Sequence, residues 1–242
     1  MPTEERHYRN ELLKSLDASD LALLSPHLEF VTLDIPYQIE KAHVPVDFVI
    51  FLESGLASIV ARLSGGRDIE VGIAGREGMT GAAIVLGGEQ SPNMTFMQVS
   101  GTGYRITSAA LQAAIDTSAT LRAKLLAYVQ AFLAQMSSTV LANGHAKLEE
   151  RLARWLLMVH DRMDGNTISL THEFLAVMLG VRRPGITVAL HILEGKGLVR
   201  ANRGQITILS RRGLMEEANG SYGAAEEEYR RLLGAALSRL NQ

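Results

Sequence analysis

A change in hydrophobic period close to residue 107 is the feature that most limits how this chain of 242 residues can fold. From about Glu29 to Ile106, apolar residues mostly alternate with polar ones, as they do in strands with one buried face. From Ser108 onward they recur at spacings of three and four, which is the period of a helix. The first half is therefore predicted to be an antiparallel β-sandwich or barrel and the second half helical, which makes an α+β chain.

Glycine and polar residues mark the ends of the predicted strands. Residues 48–52 are a continuous apolar run, and two alternating segments flank Gly65-Gly66, which suits a two-residue hairpin turn. Residues 95–99 and 104–106 supply two further short strands. Residues 8–27 come before this region and are predicted to form one or two short helices.

A long apolar stripe then predicts one helix of about 24 residues, or roughly 36 Å, ending near Asn143-Gly144. The stripe consists of Leu121, Leu125, Tyr128, Phe132, Met136 and Val140. Two interpretations are open: a helix in the core of its own chain, or a helix that pairs with the same helix of a second chain. We favour pairing, because one small domain is too short to bury the whole stripe.

The distribution of charge points to a polyanion as partner. Lys plus Arg number 24 and Asp plus Glu 26, so the net charge is only −2. Residues 165–213, however, hold seven basic and two acidic residues, a charge of +5, while residues 1–164 and 214–242 carry −5 and −2. A basic segment of this kind inside an acidic chain is typical of a nucleic-acid-binding unit.

The local pattern in the basic segment predicts a winged helix-turn-helix. Thr171 is a suitable N-cap for a short apolar helix that ends at Gly180, and Pro184 is suited to the first turn of a second helix. Residues 198–209 follow as a two-stranded hairpin, which would be the wing. Two short helices joined by glycine also occur in modules that contact protein, so that alternative stays open.

The predicted DNA contacts lie on the second helix, at the start of the first helix and in the wing. Arginines at the start of the second helix would enter the major groove, where a guanidinium matches guanine O6 and N7. The start of the first helix is suited to a phosphate, and wing arginines would reach the flanking backbone. The predicted DNA-binding residues are Thr171, His172, Arg182, Arg183, Thr187, His191, Arg200 and Arg203.

These residues carry a resemblance to a known family. Residues 171–183 (THEFLAVMLGVRR), 193–199 (LEGKGLV) and 148–156 (LEERLARWL) resemble the Crp/Fnr family of bacterial transcription regulators. The resemblance implies an N-terminal β-roll sensor of the cyclic-nucleotide-binding type, a dimerisation helix and a C-terminal winged helix-turn-helix. It also implies a homodimer that binds a near-palindromic double-stranded DNA operator, with RNA polymerase as a further partner.

Four units follow from the resemblance and from the changes in pattern. They are a β-roll sensor at residues 1–117, a dimerisation helix at 118–144, a DNA-binding domain at 145–213 and a helical extension at 214–242. The extension has an apolar stripe that includes Tyr229, Leu233 and Leu240. We expect this helix to pack on the winged domain; a contact with another protein or a second dimer element is the alternative.

Several positions depart from the family pattern. Family members that bind cyclic AMP have a glutamate and, some ten residues later, an arginine in a phosphate-binding cassette. The resemblance places Ala82 and Asn93 at those positions, within a degenerate cassette that includes Gly81 and Met94. Alanine lacks the acceptor and asparagine the positive charge, so we expect cyclic AMP not to bind in the usual way.

On the second helix, Pro184 and Val188 replace an acidic and a basic base-reading residue, so the operator should differ from that of the best-known members.

Other cofactors and functions are not favoured. The chain has no cysteine, which excludes a cysteine-ligated iron–sulfur cluster, and no histidine stands in a pattern that supports haem. The histidines considered were His7, His27, His43, His145 and His160. We see no metal site and no catalytic constellation, so an enzyme is not expected.

The polar N-terminus and the lack of a long uninterrupted apolar run predict a cytoplasmic protein without a membrane partner. The small-molecule effector is not identified by the sequence.

Overall fold

Two antiparallel sheets make up the N-terminal half, in agreement with the alternating pattern. The computed structural model describes residues 7–63 and 66–234. One sheet has the strand order β1-β7-β3 and the other β2-β6-β4-β5. The strands are β1 (Glu29–Leu33), β2 (Gln38–Glu40), β3 (Phe48–Leu52), β4 (Leu56–Leu63), β5 (Arg67–Ala74), β6 (Met94–Val99) and β7 (Gly101–Thr107). Between the sheets lies a core that includes Ile50, Leu52, Ala57 and Met97, so they form a β-roll.

Helices surround the roll and make up most of the C-terminal half. They are α1 (Glu11–Lys14), α2 (Ala18–Leu24), α3 (Ala82–Val85), α4 (Ser108–Thr117), α5 (Ala119–His145), α6 (Leu148–Arg162), α7 (His172–Met178), α8 (Arg183–Gly195), α9 (Arg211–Glu217) and α10 (Ala224–Leu233). Short strands β8 (Thr167–Ser169), β9 (Val199–Asn202) and β10 (Gln205–Ile208) complete the chain. The predicted α+β class is therefore confirmed.

The predicted hairpin in the first half connects β4 and β5. Leu63 and Arg67 are the last paired residues before the turn, and Gly66 has a positive φ of 78°. A positive φ is readily available to glycine, which explains why the chain can turn there. Gly65 lies outside the described residues, so its predicted part in the turn stays a prediction.

The long helix α5 has 27 residues and ends at His145, close to the predicted end. The predicted pairing stripe is wrong, however, because Leu121, Leu125 and Tyr128 are buried in the core of their own chain together with residues of the roll. The exposed row shares only Val140 with the predicted stripe: Leu126, Leu133 and Val140 are 41%, 51% and 68% exposed. These three residues are seven apart, which is the repeat of a coiled-coil seam.

Helix α5 is also, by length and composition, the one single helix of the described residues that could cross a membrane. The composition is explained without a membrane, because one face of the helix supplies Leu121, Leu125 and Tyr128 to the core.

The C-terminal unit is a winged helix-turn-helix in which the wing sheet has three strands. The predicted hairpin, β9 and β10, is present, and Ile206 of β10 also pairs with Ile168 of β8. The order β8-β10-β9 therefore adds a strand to the two that the wing was predicted to have. The extra strand ties the wing to the start of α7, three residues after β8.

The C-terminal extension packs on the winged domain, as expected, only in its first part, where Leu214 and Ala218 join the core of that domain. It forms two short helices, and the second, α10, lies along α5 rather than on the winged domain: Tyr229 and Leu233 join the core that contains Leu125 and Tyr128. The physical reason is that α5 offers an apolar surface next to the roll, which α10 covers. Leu240, the last residue named in the predicted stripe, lies outside the described residues.

The roll and the winged unit share one hydrophobic core. Leu56, Val60 and Ile73 of the roll pack with side chains of α6 to α9. Within this core the Glu70 carboxylate accepts hydrogen bonds from Trp155 Nε1 at 2.6 Å and from Ser58 Oγ at 2.5 Å. Burial raises the pKa of Glu70 to about 7, although both hydrogen bonds favour the ionised form.

This raised pKa predicts a pH-dependent stability. Unfolded Glu70 ionises near its ordinary value of 4.5, whereas the folded group holds its proton up to about pH 7. The favourable contribution of the protonated form is therefore complete below pH 4.5 and is lost as the pH rises through 7. We expect the stability of the parent to fall by about 3 kcal/mol relative to that of Glu70→Gln between pH 4.5 and pH 8, since each pKa unit is worth about 1.4 kcal/mol.

Urea unfolding at pH 4.5 and pH 8 measures the difference. Glu89→Gln is the matched control, because Glu89 is exposed. An equal stability difference between Glu70→Gln and the parent at both pH values would contradict the prediction.

Candidate nucleic-acid interface

Helices α7 and α8 form the helix-turn-helix at the centre of the candidate interface. Thr171 caps α7 as predicted, because its hydroxyl accepts a hydrogen bond from the backbone N–H of Phe174. Four residues, 179–182, separate the helices, whose axes turn by 102°. A turn of this size places the start of α8 outside the shared core, where it can approach a ligand as large as a duplex.

Glycine is required inside this turn for two reasons. Gly180 has a φ of +62°, which side chains rarely adopt. A Cβ at this position would also lie 2.9 Å from Cδ1 of Ile69 on β5 of the roll. Gly180 therefore both allows the turn and lets the helix-turn-helix pack closely against the sensor half.

The start of α8 presents the two predicted arginines to solvent. Arg182 is the N-cap and Arg183 the first residue of the helix, and both side chains are exposed. Arg183 forms an ion pair with Glu173 of α7 at 3.0 Å, in which both partners are more than half exposed. An exposed pair of this kind contributes about 0–1 kcal/mol, so Arg183 can exchange it for an anionic ligand at little cost.

Two other predicted residues connect the helices. His172 Nδ1 lies 3.2 Å from Thr187 Oγ1, which joins the first turn of α7 to α8. Thr187 is half-buried rather than fully exposed, so its hydroxyl is in part engaged within the protein. Val188, next to it, is 59% exposed and faces the same solvent as the arginines.

The remaining predicted contacts surround a groove between α8 and the wing. His172, His191 and Arg203 line this groove, which has a volume of about 160 Å³. Arg203 lies in the turn between β9 and β10, with a φ of 42°, and Arg200 is exposed on β9. The structure thus brings His172, His191 and Arg203 together, while Arg182 and Arg183 lie at the start of α8 and Arg200 on the wing strand.

Ion pairs within the chain show which cations of the basic segment are free to act. Arg211 pairs with Asp161 at 2.7 Å and is mostly buried, so it holds the fold together. Lys196 pairs with Glu217 and Arg212 with Glu216. Within residues 7–63 and 66–234, no ion pair engages Arg182, Arg200 or Arg203. The net charge of +5 therefore overstates the number of cations available to a partner, and these three remain.

A second candidate site lies between the roll and α5, which we call the sensor cavity. It has a volume of about 400 Å³. Its lining is largely apolar, and Glu40 is the only charged side chain among the described residues that line it. The lining residues from α5 are Val129, Phe132, Leu133 and Met136.

The predicted cassette is only partly assembled at this cavity. Gly81, Ala82 and Asn93 line it, whereas Met94 packs toward the core that the roll shares with the winged unit. Gly81 has a φ of 73°, and its N–H donates to Glu40 Oε1 at 2.8 Å. Burial raises the pKa of Glu40. Sequence reasoning missed Glu40, because it lies on β2, some forty residues before the cassette.

The loop before the cassette is held by α5. Tyr128 Oη donates a hydrogen bond to the carbonyl oxygen of Met79 at 2.8 Å. Gly78 leaves room for this ring, because a Cβ there would lie 2.2 Å from Tyr128. The wall of the cavity is therefore directly attached to α5, the helix that also carries the exposed row.

None of the described residues forms a cluster of three or more metal-ligating side chains. Of the histidines named as candidate haem ligands by residue type, His160 makes side-chain contacts within the protein. Its Nε2 lies 2.9 Å from Asn166 Oδ1 and its Nδ1 lies 3.1 Å from Arg211. His160 is therefore part of the winged unit's own packing.

Comparisons with known proteins agree with this geometry. Residues 150–217 match the family model of the Crp-like helix-turn-helix domain. A comparison with curated protein sequences finds no significant match. Residues 150–217 are thus a Crp-like helix-turn-helix domain, which confirms the resemblance predicted from the sequence.

Solved structures show the same fold over nearly their whole length. A Eubacterium rectale protein assigned as a transcriptional regulator of the Crp/Fnr family matches with a TM-score of 0.68 and 20% identity, covering 86% of this chain and 98% of its own. A CRP-family transcriptional regulator from Thermus thermophilus matches with a TM-score of 0.65 and 17% identity, covering 81% of this chain and 99% of its own. A c-di-GMP-responsive global regulator from Xanthomonas campestris matches with a TM-score of 0.62 and 16% identity, covering 80% of this chain and 100% of its own. The β-roll, long helix and winged helix-turn-helix therefore have the Crp/Fnr fold.

Proposed function

We propose that this protein is a sequence-specific transcription regulator that binds double-stranded DNA as a homodimer in the cytoplasm and catalyses no reaction. One observation carries the proposal: Arg182, Arg200 and Arg203 are exposed on a Crp-like helix-turn-helix domain and have no ion pair within the described part of the chain. The acidic remainder of the chain would be repelled by DNA, so binding is confined to this surface.

The interface suggests how a duplex is read. The start of α8 enters the major groove, where Arg182 and Arg183 offer forked donors to guanine or to phosphate. Thr171 and His172, at the start of α7, are positioned for a backbone phosphate, and Arg200 and Arg203 in the wing for the neighbouring backbone. Thr187, half-buried, and His191, exposed, add polar groups along α8.

Pairing through α5 would place two such units on one operator. Its exposed row continues at alternating spacings of four and three through Ala119, Ala123, Leu126, Gln130, Leu133, Ser137 and Val140. This spacing is that of a coiled-coil seam. The two α8 helices then have to lie about 34 Å apart to enter successive major grooves of a near-palindrome.

The sensor cavity supports an effector other than cyclic AMP. The charge of a cyclic phosphate is balanced best by a cation, but the only charged group among the described lining residues is the buried carboxyl of Glu40, and the polar side chains Gln90, Ser91, Asn93 and Thr95 bring no positive charge. The desolvation of an anion there would be uncompensated. We therefore propose that the cavity excludes cyclic AMP and favours an uncharged, largely apolar small molecule, and that neither haem nor an iron–sulfur cluster is used.

A pair of substitutions with opposite effects tests the DNA interface. We expect Arg183→Ala to weaken operator binding by about 1–3 kcal/mol, because a forked contact is lost. We expect Glu173→Gln to strengthen it by up to about 1 kcal/mol, because Arg183 no longer has to leave its ion pair. Fluorescence anisotropy on a promoter fragment selected from genomic DNA measures both.

Salt dependence separates the DNA proposal from the protein-contact alternative. Affinity should fall steeply between 50 and 200 mM salt, by on the order of tenfold or more, as counterions are released from the phosphates. A folded dimer that binds no genomic fragment even at low salt would overturn the proposal and favour a winged domain that contacts protein.

A second substitution pair tests pairing through α5. The double variant Leu126→Glu/Val140→Glu places two carboxylates in the exposed row, and we expect it to be monomeric at micromolar concentration, because an unpaired charge in a helix seam is strongly unfavourable. Leu141→Glu is the matched control: Leu141 is 63% exposed but lies beside the row. Analytical ultracentrifugation measures the mass. A double variant that stays dimeric would contradict the pairing surface.

A third experiment tests the ligand class of the cavity. We expect the uncharged fluorophore N-phenyl-1-naphthylamine to bind, and cyclic AMP at millimolar concentration neither to displace it nor to change DNA affinity. Ala83→Trp should abolish probe binding, because Ala83 lines the cavity, whereas Ala113→Trp on the exposed face of α4 should not. Activation of DNA binding by cyclic AMP would overturn the assignment.

A further inference from the structure

A short link is the only covalent connection between α5 and the winged unit. Residues Ala146 and Lys147 separate α5 from α6, and both are extended, with φ and ψ of −88° and 147° and of −65° and 163°. Since neither residue continues the helix, rotation about this link can change the orientation of the winged unit relative to the roll. Any contact that spans the link limits that rotation.

The segment of residues 221–233, which we call the strut, is attached to the winged unit at its first end. The carbonyl oxygen of Ser221 accepts a hydrogen bond from Arg154 Nε at 2.9 Å. Tyr222 Oη donates to Asp161 Oδ2 at 2.6 Å and accepts from Arg211 at 2.7 Å. These partners lie on α6 and α9, after the link.

The second end of the strut is attached to the sensor half. Tyr229 Oη donates to the carbonyl oxygen of Glu77 at 2.6 Å, in the loop that precedes the cassette. The side chains of Tyr229 and Leu233 are buried beside Leu125 and Tyr128 of α5. These partners all lie before the link.

Buried charges connect the two ends. Glu77 forms a buried ion pair with Arg162 of α6 at 2.6 Å. Glu226 of the strut is only 3% exposed, and the positive charges of Arg162 and Arg154 act on its buried carboxyl. The strut therefore covers an ion pair whose two members lie on opposite sides of the link.

We propose that the strut holds the winged unit in one orientation relative to the roll and α5, and that this orientation is the one that binds DNA. The held arrangement leaves Arg182 and Arg183 exposed at the start of α8, as DNA binding requires. Releasing the strut leaves only the core shared by the roll and the winged unit to hold this orientation. A fraction of the molecules then adopts other orientations, and the apparent affinity for DNA falls with the fraction in the competent one. Only this last step depends on the proposed function.

Spin-label distances test the strut directly, because the chain has no cysteine of its own. Labels at Thr32→Cys on the roll and Asn202→Cys on the wing, both exposed positions, report the orientation of the winged unit. Labelled chains are diluted with excess unlabelled chain, so that the measured distances lie within one chain. The full-length parent should give a single narrow distribution.

Two strut variants and one control are compared. Tyr222→Phe/Tyr229→Phe removes both hydroxyl anchors and keeps the rings, whereas Tyr229→Ala/Leu233→Ala removes the apolar contact with α5. We expect both to broaden the distance distribution and to lower DNA affinity by about threefold or more. Arg230→Ala, an exposed change on α10, should behave as the parent.

Each outcome decides between the proposal and its alternatives. If the alanine variant fails to fold, the phenylalanine variant still tests the hydroxyl anchors. Unchanged distances in a folded variant would overturn the strut, and broadened distances with unchanged or higher DNA affinity would overturn its role in DNA binding. A parent that binds no DNA would instead contradict the proposed function, while the distances would still report on the strut.

Discussion

The ion pair between Glu77 and Arg162 is the contact on which the arrangement of the whole chain depends. It joins the loop before the cassette to α6, the first helix of the winged unit, and both side chains are almost fully buried. Removing one member of a buried pair typically costs about 3–5 kcal/mol, because the other charge remains without a partner. The chain excludes water from this pair by laying α10 across it, with Tyr229 bonded to the backbone of Glu77 itself. Sensor half, winged unit and C-terminal helix therefore meet at one place.

This arrangement explains how the basic segment is divided between folding and binding. Arg211 is used internally against Asp161, and Lys196 and Arg212 pair with neighbouring carboxylates. The arginines that remain, at the start of α8 and in the wing, are those that a duplex would meet. Net charge per segment located the Crp-like helix-turn-helix correctly, but only the contacts show which cations belong to the surface.

Helix α5 illustrates where pattern reasoning succeeds and where it fails. Its existence and its approximate length were predictable, because apolar spacing is a local property. Its stripe was assigned to the wrong partner: Leu121, Leu125 and Tyr128 face the core of their own chain, and Leu126, Leu133 and Val140 face outward. A helix that is apolar on two faces offers two periodic rows, and the sequence does not say which one is covered. The C-terminal helix α10 was assigned to the winged domain instead of α5, because its sequence likewise does not say which surface covers its apolar row.

The sequence by itself determined the order of antiparallel β-region, long helix and winged helix-turn-helix, because each depends on periodicity, glycine turns and caps within a few residues. It also predicts that cyclic AMP does not bind in the usual way, since the residue types at positions 82 and 93 can be read directly from the chain. Only the tertiary structure decided that Glu40 lines the sensor cavity, that Glu70 is buried beside Trp155, and that α10 bridges the two halves. These contacts join residues from about 40 to 150 positions apart, and their energies come from burial and shared charge, which no local pattern encodes.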